Sequence, residues 1–219
     1  MSQRLVVLQH HPAEGVGELG AWADQHGIAL EIHRADLGEL PRDVRGPCVL
    51  LGGPYSVNDG LDWLQRERAW LRERIADGVP VIGICLGSQL LADALDGRVH
   101  ALDRPETGWT RIDFADGNEL DVLQWHEDAF TLPPGARSIA SSKVCAHQMF
   151  EVGARYIGMQ FHPEWNAALV DALNAHFGGE SPLPREVDAS KHERVAAWFH
   201  GRMDGWWDAV ASWPTSCER

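Results

Sequence analysis

The cysteine in the stretch VPVIGICLGSQLLADAL, residues 79–95, has surroundings that suit a nucleophile. An apolar run ends at Cys85 and a helical pattern begins at once, with Gly83 and Gly87 on either side. This is the strand-turn-helix pattern of a nucleophile elbow, with sulfur in place of a serine hydroxyl. The dipole of the following helix favours a thiolate at its N-terminus. The stretch alone fits a buried packing cysteine equally well.

Two other segments supply the groups that such a nucleophile needs. In YIGMQFHPEW a predicted strand ends at His162, and Glu164 follows two residues later, on the same side of an extended chain. Glu164 is then placed to orient the imidazole while His162 transfers protons. In LLGGP, an N–H of Gly52 or Gly53 joins that of Leu86 as a two-donor oxyanion hole. Taken singly, a His-x-Glu pair is common at strand ends, and Gly-Gly-Pro is a turn.

Taken together and in this order, the three segments resemble the class I (triad-type) glutamine amidotransferase family, over roughly residues 4 to 178. In that family a cysteine attacks the side-chain amide of glutamine, releases ammonia and leaves a γ-glutamyl thioester that water hydrolyses. The resemblance implies that Cys85 is the nucleophile, His162 the general acid and base, and Glu164 the residue that orients the histidine.

The same resemblance implies further site residues. It places the oxyanion donors at Gly53 and Leu86. The stretches QWHEDAFTLPPGARSIASS and CAHQMFEVG look like pocket segments of guanylate-synthase-type glutaminases, although Glu127 stands where that subgroup has glycine. The stretch PETGW resembles a segment that would place Glu106 and Gly108 near the mouth of the pocket. The implied substrate-binding residues are Gln89, His126, Asp128 and Gln148.

The implied activity acts on a small molecule, glutamine or a related γ-glutamyl compound, without a cofactor. Guanylate synthase carries a nucleotide loop that reads Ser-Gly-Gly-Val-Asp-Ser, and this loop does not occur in the sequence, so a stand-alone glutaminase-type domain is expected. Either a separate synthetase subunit receives the ammonia, or the chain is a γ-glutamyl hydrolase or peptidase that works alone. A non-catalytic regulatory module is a third alternative, but the cysteine and histidine whose loss would mark it are both present.

The order of predicted elements indicates an α/β fold that brings these residues together. Short apolar runs alternate with helical patterns up to residue 97, which predicts a mostly parallel central sheet flanked by helices. Between residues 108 and 162, five strand candidates (KVCAHQMF among them) follow one another without a helix, which predicts an antiparallel extension. The resemblance implies the flavodoxin-like fold of class I glutaminases. We expect one domain over residues 1–219, with a core at about 4–178 and a loop and Trp-rich helix at 179–219.

The composition limits the partners and the location of the protein. The 219 residues carry 19 basic and 32 acidic side chains, a formal net charge of -13, which argues against a nucleic-acid partner or a membrane surface. No apolar stretch approaches the ~20 residues that span a bilayer. The apolar run at residues 5–8 is too short for a signal peptide, so a cytoplasmic protein with free thiols is expected.

The cysteines and histidines give no metal signature. The four cysteines lack CxxC spacing, and the histidine pairs lack a compact set of acidic neighbours at helical spacing. We therefore expect no metal site. The histidines concerned, His10, His11, His192 and His200, are expected at the surface or at helix caps.

Overall fold

The computed structural model describes residues 3–44 and 46–210. Nine strands form one sheet: β1 (Arg4–Gln9), β2 (Ala29–Arg34), β3 (Cys48–Leu50), β4 (Val81–Ile84), β5 (Val99–Phe114), β6 (Glu119–Phe130), β7 (Arg137–Ser141), β8 (Met149–Val152) and β9 (Tyr156–Met159). Five α-helices accompany them: α1 (Gly17–His26), α2 (Asp62–Ala76), α3 (Leu86–Ala94), α4 (Ala167–Phe177) and α5 (Ala189–Val210). Single 3-10 turns cover Ala35–Leu37 and Gly178–Glu180.

The sheet has a parallel half and an antiparallel half. Its strand order is β2-β1-β3-β4-β9-β8-β7-β5-β6. Strands β2, β1, β3, β4 and β9 run parallel, and every pairing from β9 to β6 is antiparallel. The predicted α/β class, with a parallel core and an antiparallel extension, is confirmed. Because β4 and β9 are parallel neighbours, the residues that follow their carboxyl ends meet at one edge of the sheet.

Two strands of the antiparallel half differ from the prediction. Strand β5 begins at Val99, nine residues before the predicted start, and pairs with β6 along almost its whole length, with an irregular register between Ala101 and Glu106. This first part of β5 is largely exposed, so it lacks the alternation of apolar and polar residues that would reveal it. KVCAHQMF forms a strand only at its end, because the Ser142 hydroxyl accepts the N–H groups of Val144 and Cys145 and turns the chain.

Both faces of the sheet are covered by helices. On one face α1 and α5 share an apolar cluster that includes Trp22, Phe199 and Trp206. On the other face α2 and α3 share a cluster that includes Leu64 and Leu90. Each such side chain stabilises the fold by roughly 1.5–3 kcal/mol on burial. The predicted Trp-rich helix thus packs on the sheet through buried apolar side chains, and the carboxyl edge of the parallel strands is left for the site.

Three of the four cysteines lie among the described residues. Cys48, Cys85 and Cys145 are free thiols, and Cys217 lies outside the described residues. Among the helices of residues 3–44 and 46–210, none is long and apolar enough to cross a membrane.

Candidate active site

Cys85 occupies the sharp turn between β4 and α3. Its φ of 50° and ψ of -110° lie in a region that residues with a side chain rarely adopt. The Cys85 N–H donates to the Met159 carbonyl at 2.8 Å, and the Cys85 carbonyl accepts the Gln89 N–H at 3.1 Å. These bonds tie the strained residue to β9 on one side and to α3 on the other. The thiol is therefore fixed at the N-terminus of the helix, at the carboxyl edge of the sheet.

The two glycines of the elbow are required by packing rather than by a left-handed backbone. A Cβ on Gly83 would overlap the carbonyl of Gly87, and a Cβ on Gly87 would overlap the carbonyl of Leu50. Neither glycine has a positive φ; the positive φ belongs to Cys85 itself. The glycines let α3 approach the strands closely, and this approach makes the turn at Cys85 sharp.

His162 follows β9 and lies beside Cys85. Its backbone N–H donates to the Leu123 carbonyl at 2.9 Å, which anchors the residue to β6. The His162 Nδ1 lies 2.8 Å from Glu164 Oε1, and the Trp165 ring stacks on the imidazole with ring centroids 3.5 Å apart and planes 14° apart. All three side chains are buried. The imidazole is thus held at one nitrogen and on one face.

Charge determines the protonation of His162. Burial lowers the pKa of the imidazole, but the electrostatic interactions and hydrogen bonds with Glu164 and Cys85 outweigh this effect and raise the pKa to about 10. At neutral pH the ring is therefore an imidazolium next to the sulfur. An imidazolium in that position is able to donate a proton to a leaving group.

Gln160 is a site residue that the sequence reasoning missed. It is fully buried, and its Nε2 lies 3.8 Å from Cys85 Sγ. Its Oε1 accepts a hydrogen bond from Gln89 Nε2 at 3.2 Å. The same Gln89 nitrogen also donates to the Asp128 carbonyl at 3.2 Å. The i, i+2 spacing that predicts a shared side for His162 and Glu164 in an extended chain applies equally to Gln160, so the spacing itself carried the signal.

The backbone donors suggested by the sequence border the same space. Gly53 and Leu86 line one cavity together with Cys85 and His162. No hydrogen-bond acceptor for the N–H of Gly53 or of Leu86 occurs within residues 3–44 and 46–210. Gly53 is also in close contact with its neighbours, since a Cβ there would lie 2.7 Å from His10 Cβ and 3.1 Å from Leu86 Cδ2. Two unpaired N–H groups next to a sulfur have the chemistry of an oxyanion hole.

The cavity above Cys85 holds about 410 Å³ and suits a small molecule. Trp125, Trp165 and Phe177 form an apolar part of its wall. Its acidic lining residues are Glu14, Asp59, Glu127 and Asp128, and none of the described residues that line it is Lys or Arg. The cavity therefore favours a ligand that carries a positive group, such as an α-ammonium group.

The remaining residues implied by the sequence lie at different distances from this cavity. Gln89, His126 and Asp128 line it, and Asp128 Oδ2 accepts the Ser56 hydroxyl at 2.5 Å. Gln148 lies outside the lining, fully buried, and donates to Glu106 Oε2 at 2.5 Å.

Glu106 lies at the centre of a buried polar cluster behind the cavity wall. It accepts the Ser142 hydroxyl at 2.6 Å, and its Oε2 lies 3.3 Å from His126 Nε2. Gly108, two residues further along β5, pairs with Gln124 and also lies outside the lining. Glu106, Gln148 and Ser142 thus support His126 from the side away from the cavity.

Glu14 is a second site residue that the sequence reasoning missed. A side chain on Gly52 would overlap Glu14 Oε2 and would lie 2.8 Å from His162 Cε1 and 3.5 Å from Cys85 Cβ. The Glu14 carboxyl, the His162 imidazole and the Cys85 side chain therefore lie close together around Gly52. Burial raises the pKa of Glu14 to about 7, and Glu164 adds to this effect. Interactions with His162 and His10 lower the pKa but do not outweigh burial. No local pattern marks Glu14, because it lies in a loop before α1.

The raised pKa of Glu14 predicts a pH-dependent effect of Glu14→Gln on stability. The folded carboxyl retains its proton up to about pH 7, whereas the unfolded one loses it near 4.5. The folded state therefore binds more protons in this window, and wild-type stability falls as the pH rises through it. At ~1.4 kcal/mol per pKa unit, we expect the variant to gain up to about 3 kcal/mol relative to wild type between pH 4.5 and pH 8.

Urea unfolding of both proteins at pH 4.5 and pH 8 measures this difference. The exposed Glu193 of α5 provides the control, since Glu193→Gln is expected to change the free energy of unfolding by the same amount at pH 4.5 and at pH 8. If the stability of Glu14→Gln relative to wild type were the same at pH 4.5 and pH 8, the raised pKa of Glu14 would be wrong.

The surface position predicted for His10 is wrong. The imidazole is fully buried, with Nε2 2.9 Å from Glu67 Oε1 and Nδ1 2.9 Å from the Leu51 carbonyl. No sequence pattern marks this pair, because Glu67 lies 57 residues away, on α2. His11, His192 and His200 are each partly buried; the His11 ring packs against Phe177, and His192 packs against Trp109.

Comparisons with known proteins identify relatives of this chain. A family model described as glutamine amidotransferase class-I matches residues 27–172. The glutamine-hydrolysing GMP synthase subunit of Saccharolobus solfataricus is 38% identical over 128 residues, which cover 53% of this chain and 66% of that protein. The glutamine amidotransferase-like protein YfeJ of Salmonella typhimurium is 29% identical over 192 residues, which cover 79% of this chain and 80% of that protein.

The fold comparison extends over nearly the whole chain. A glutamine amidotransferase structure from Methylobacillus flagellatus superimposes with a TM-score of 0.84 at 29% identity and covers 96% of each chain. By contrast, the match spans just under two thirds of the Saccharolobus protein and 30% of the GMP synthase of Azoarcus. The family model covers well over half of the sequence and includes the Cys85 elbow and the His162 segment. The chain belongs to the class I glutamine amidotransferase family.

Proposed function

We propose that the protein hydrolyses the γ-amide of glutamine or of a related γ-glutamyl compound through a thioester on Cys85. The observation that carries the proposal is the position of Cys85. A strained thiol at a helix N-terminus lies beside a buried imidazolium and two backbone N–H groups that have no acceptor among the described residues, at the floor of a cavity of about 410 Å³. Each of these groups corresponds to a requirement of acyl transfer to sulfur.

The first half of the reaction forms the thioester. Cys85 Sγ attacks the γ-carbonyl carbon, and the N–H groups of Gly53 and Leu86 stabilise the oxyanion that forms. His162 then gives its proton to the leaving nitrogen as the C–N bond breaks, so that ammonia or an amine departs. Glu164 stabilises the imidazolium and holds it through Nδ1 at 2.8 Å. The raised pKa of His162 supports this assignment, because the ring is protonated before the leaving group needs the proton.

The second half returns the enzyme to its starting state. Neutral His162 takes a proton from water, and the resulting hydroxide attacks the thioester carbonyl at the same oxyanion hole. The C–S bond breaks, glutamate leaves, and the thiolate and imidazolium are restored. The same two groups therefore serve both halves, and no cofactor takes part in the proposed sequence.

The acidic lining supports a substrate with a free α-amino group. Asp128 and Glu127 lie on the cavity wall formed by β6, and Glu14 lies opposite, beside His162. A γ-glutamyl group with a free α-ammonium would form charge-assisted hydrogen bonds there. The Saccharolobus relative is by name a glutamine-hydrolysing GMP synthase subunit, which supports glutamine as the first substrate to test.

An assay of glutamate and ammonia release tests the proposal. The purified chain is incubated with glutamine, γ-glutamyl amines and γ-glutamyl peptides, each alone and with a separate ATP-dependent synthetase subunit. We expect glutamate release from at least one of them at a rate well above the uncatalysed rate. Turnover by the chain alone identifies a γ-glutamyl hydrolase, whereas turnover only with the second subunit identifies an amidotransferase. If no compound yields glutamate under either condition, the proposal is wrong and a non-catalytic role is favoured.

A further inference from the structure

The carbonyl groups that precede the proposed oxyanion donor are held from behind by a buried charged pair. His10 and Glu67 have no exposed surface and lie 2.9 Å apart, from Nε2 to Oε1. The other ring nitrogen, Nδ1, lies 2.9 Å from the Leu51 carbonyl and 3.2 Å from the Gly52 carbonyl. Burying two charges in this way carries a desolvation cost, so the pair has no obvious value as packing alone.

Both nitrogens of His10 act as donors. One faces two carbonyl oxygens and the other faces a carboxylate, and each of these groups only accepts. Burial lowers the pKa of His10, but the charge of Glu67 and these hydrogen bonds raise it above its ordinary value. An Nδ1–H of His10 is therefore directed at the Leu51 and Gly52 carbonyls, and Glu67 holds the ring from the other side.

The geometry of the peptide bond carries this contact to the active site. In a trans peptide the carbonyl and the N–H point in opposite directions, and the described residues contain no cis peptide. The Gly52 carbonyl points toward His10, so the Gly53 N–H of the same peptide points away from it. Gly53 lines the cavity together with Cys85 and Leu86, so this N–H is available to a group that binds there.

The alternative orientation of this peptide would be inactive. Glycine permits a peptide flip more readily than other residues, and both Gly52 and Gly53 lack the side chain that would restrict it. A flipped peptide would direct the Gly52 carbonyl, rather than the Gly53 N–H, toward the cavity. The Leu51 carbonyl is also bonded to the Gly87 N–H at 3.1 Å, so the same contact links the loop to α3.

We propose that His10 is a positioning residue that keeps the Gly53 N–H directed at the reacting carbonyl oxygen, with Glu67 as the partner of its other ring nitrogen. The role rests on the proposed thioester chemistry, since it concerns the oxyanion hole of that reaction. His10 touches neither substrate nor sulfur in this role; it acts through the Gly52–Gly53 peptide. The expected signature is a loss of transition-state stabilisation without a loss of substrate binding.

Two matched variants separate the two contacts of His10. In His10→Asn the side-chain amide reaches the place of Nδ1 and keeps a donor for the carbonyls, but it loses Glu67. In His10→Gln the amide reaches the place of Nε2 and keeps the contact with Glu67, but it loses the donor. Removal of one oxyanion donor costs roughly 100- to 1000-fold in kcat, so we expect about that loss in His10→Gln at unchanged KM. We expect His10→Asn to stay within about tenfold of wild type.

Two reagents show whether a loss arises at the oxyanion hole. Iodoacetamide alkylates the Cys85 sulfur by displacing iodide, a reaction that forms no oxyanion. p-Nitrophenyl acetate acylates the same sulfur through a tetrahedral oxyanion, with p-nitrophenolate leaving. In His10→Gln we expect alkylation at the wild-type rate and acylation slowed roughly 100-fold. Cys85→Ser gives the background of both reactions.

Each outcome decides the proposal. Equal acylation rates in the two His10 variants, or a larger loss in His10→Asn, would overturn it. Parallel losses of alkylation and acylation in His10→Gln would also overturn it, because they indicate a general disturbance of the fold. The reagents need no physiological substrate, so the result stands even if no γ-glutamyl compound is hydrolysed; that failure would refute the proposed function instead.

Discussion

Replacing Cys85 with serine is expected to lower γ-glutamyl amide hydrolysis by at least ~10⁴-fold, the effect of removing a nucleophile that acts as a unit with its base. A serine hydroxyl is not ionised near neutral pH and needs a neutral histidine to take its proton. In the variant the Cys85 contribution to the raised pKa of His162 is lost, but the Glu164 carboxyl, 2.8 Å from Nδ1, still raises that pKa and favours the protonated ring. The variant therefore loses the nucleophile, and the proton that Glu164 favours on His162 hinders activation of the serine hydroxyl. Glutamate release at saturating substrate measures the loss.

Cys145 supplies the matched control for this experiment. It is also buried, and its thiol lies 3.5 Å from the His147 carbonyl, a contact that a serine hydroxyl can keep. Cys145 does not line the cavity. We expect Cys145→Ser to retain activity within about twofold, as for a substitution away from the reacting groups. Retention of substantial activity in Cys85→Ser, or an equal loss in both variants, would refute the assignment of the nucleophile.

Replacing Gly87 with alanine is expected to destabilise the fold by roughly 3 kcal/mol or more. The added Cβ would overlap the carbonyl oxygen and carbon of Leu50. Leu50 belongs to β3, which is paired on both sides with β1 and β4, so its backbone is not free to move away. Helix α3 would have to move out from the sheet, and the elbow at Cys85 would move with it. Urea unfolding followed by circular dichroism gives the free energy of unfolding.

Gly201 tests whether the effect comes from the contact rather than from glycine itself. It lies within α5, and a Cβ there would meet nothing within 4 Å. Alanine is a better helix former than glycine, so Gly201→Ala is expected to raise the free energy of unfolding by about 0.5–1 kcal/mol. If Gly87→Ala were as stable as wild type, the inference that α3 packs too closely on β3 to admit a Cβ would be wrong.

The parallel half of the fold was readable from the sequence because its signals are local. The run that becomes β4, the glycines around Cys85 and the helical pattern of α3 adjoin one another in the chain. The sequence therefore predicts the elbow, and alternation along one extended segment predicts that His162 and Glu164 share a side. Neither inference needs a contact between distant residues.

The features that escaped prediction depend on distant contacts. His10 resembles a surface histidine until α2 brings Glu67 against it. Glu14 gains its raised pKa from burial beside His162, about 150 residues away in the chain. The early start of β5 follows from its pairing with β6, since its own residues are largely exposed and polar. Only the assembled sheet brings these groups together.

The reacting groups and the walls of the cavity belong to different parts of the chain, and this separation affects how the protein can diversify. Cys85 and His162 follow β4 and β9 in the central sheet, where small changes disturb the fold. Tyr55 and Ser56 come from the loop after β3, and Asp128 comes from the outermost strand, β6. Loops tolerate exchanges better than the paired strands of a central sheet. Changes in this outer wall therefore alter which small molecules the cavity admits, while Cys85 and His162 keep their places in the sheet.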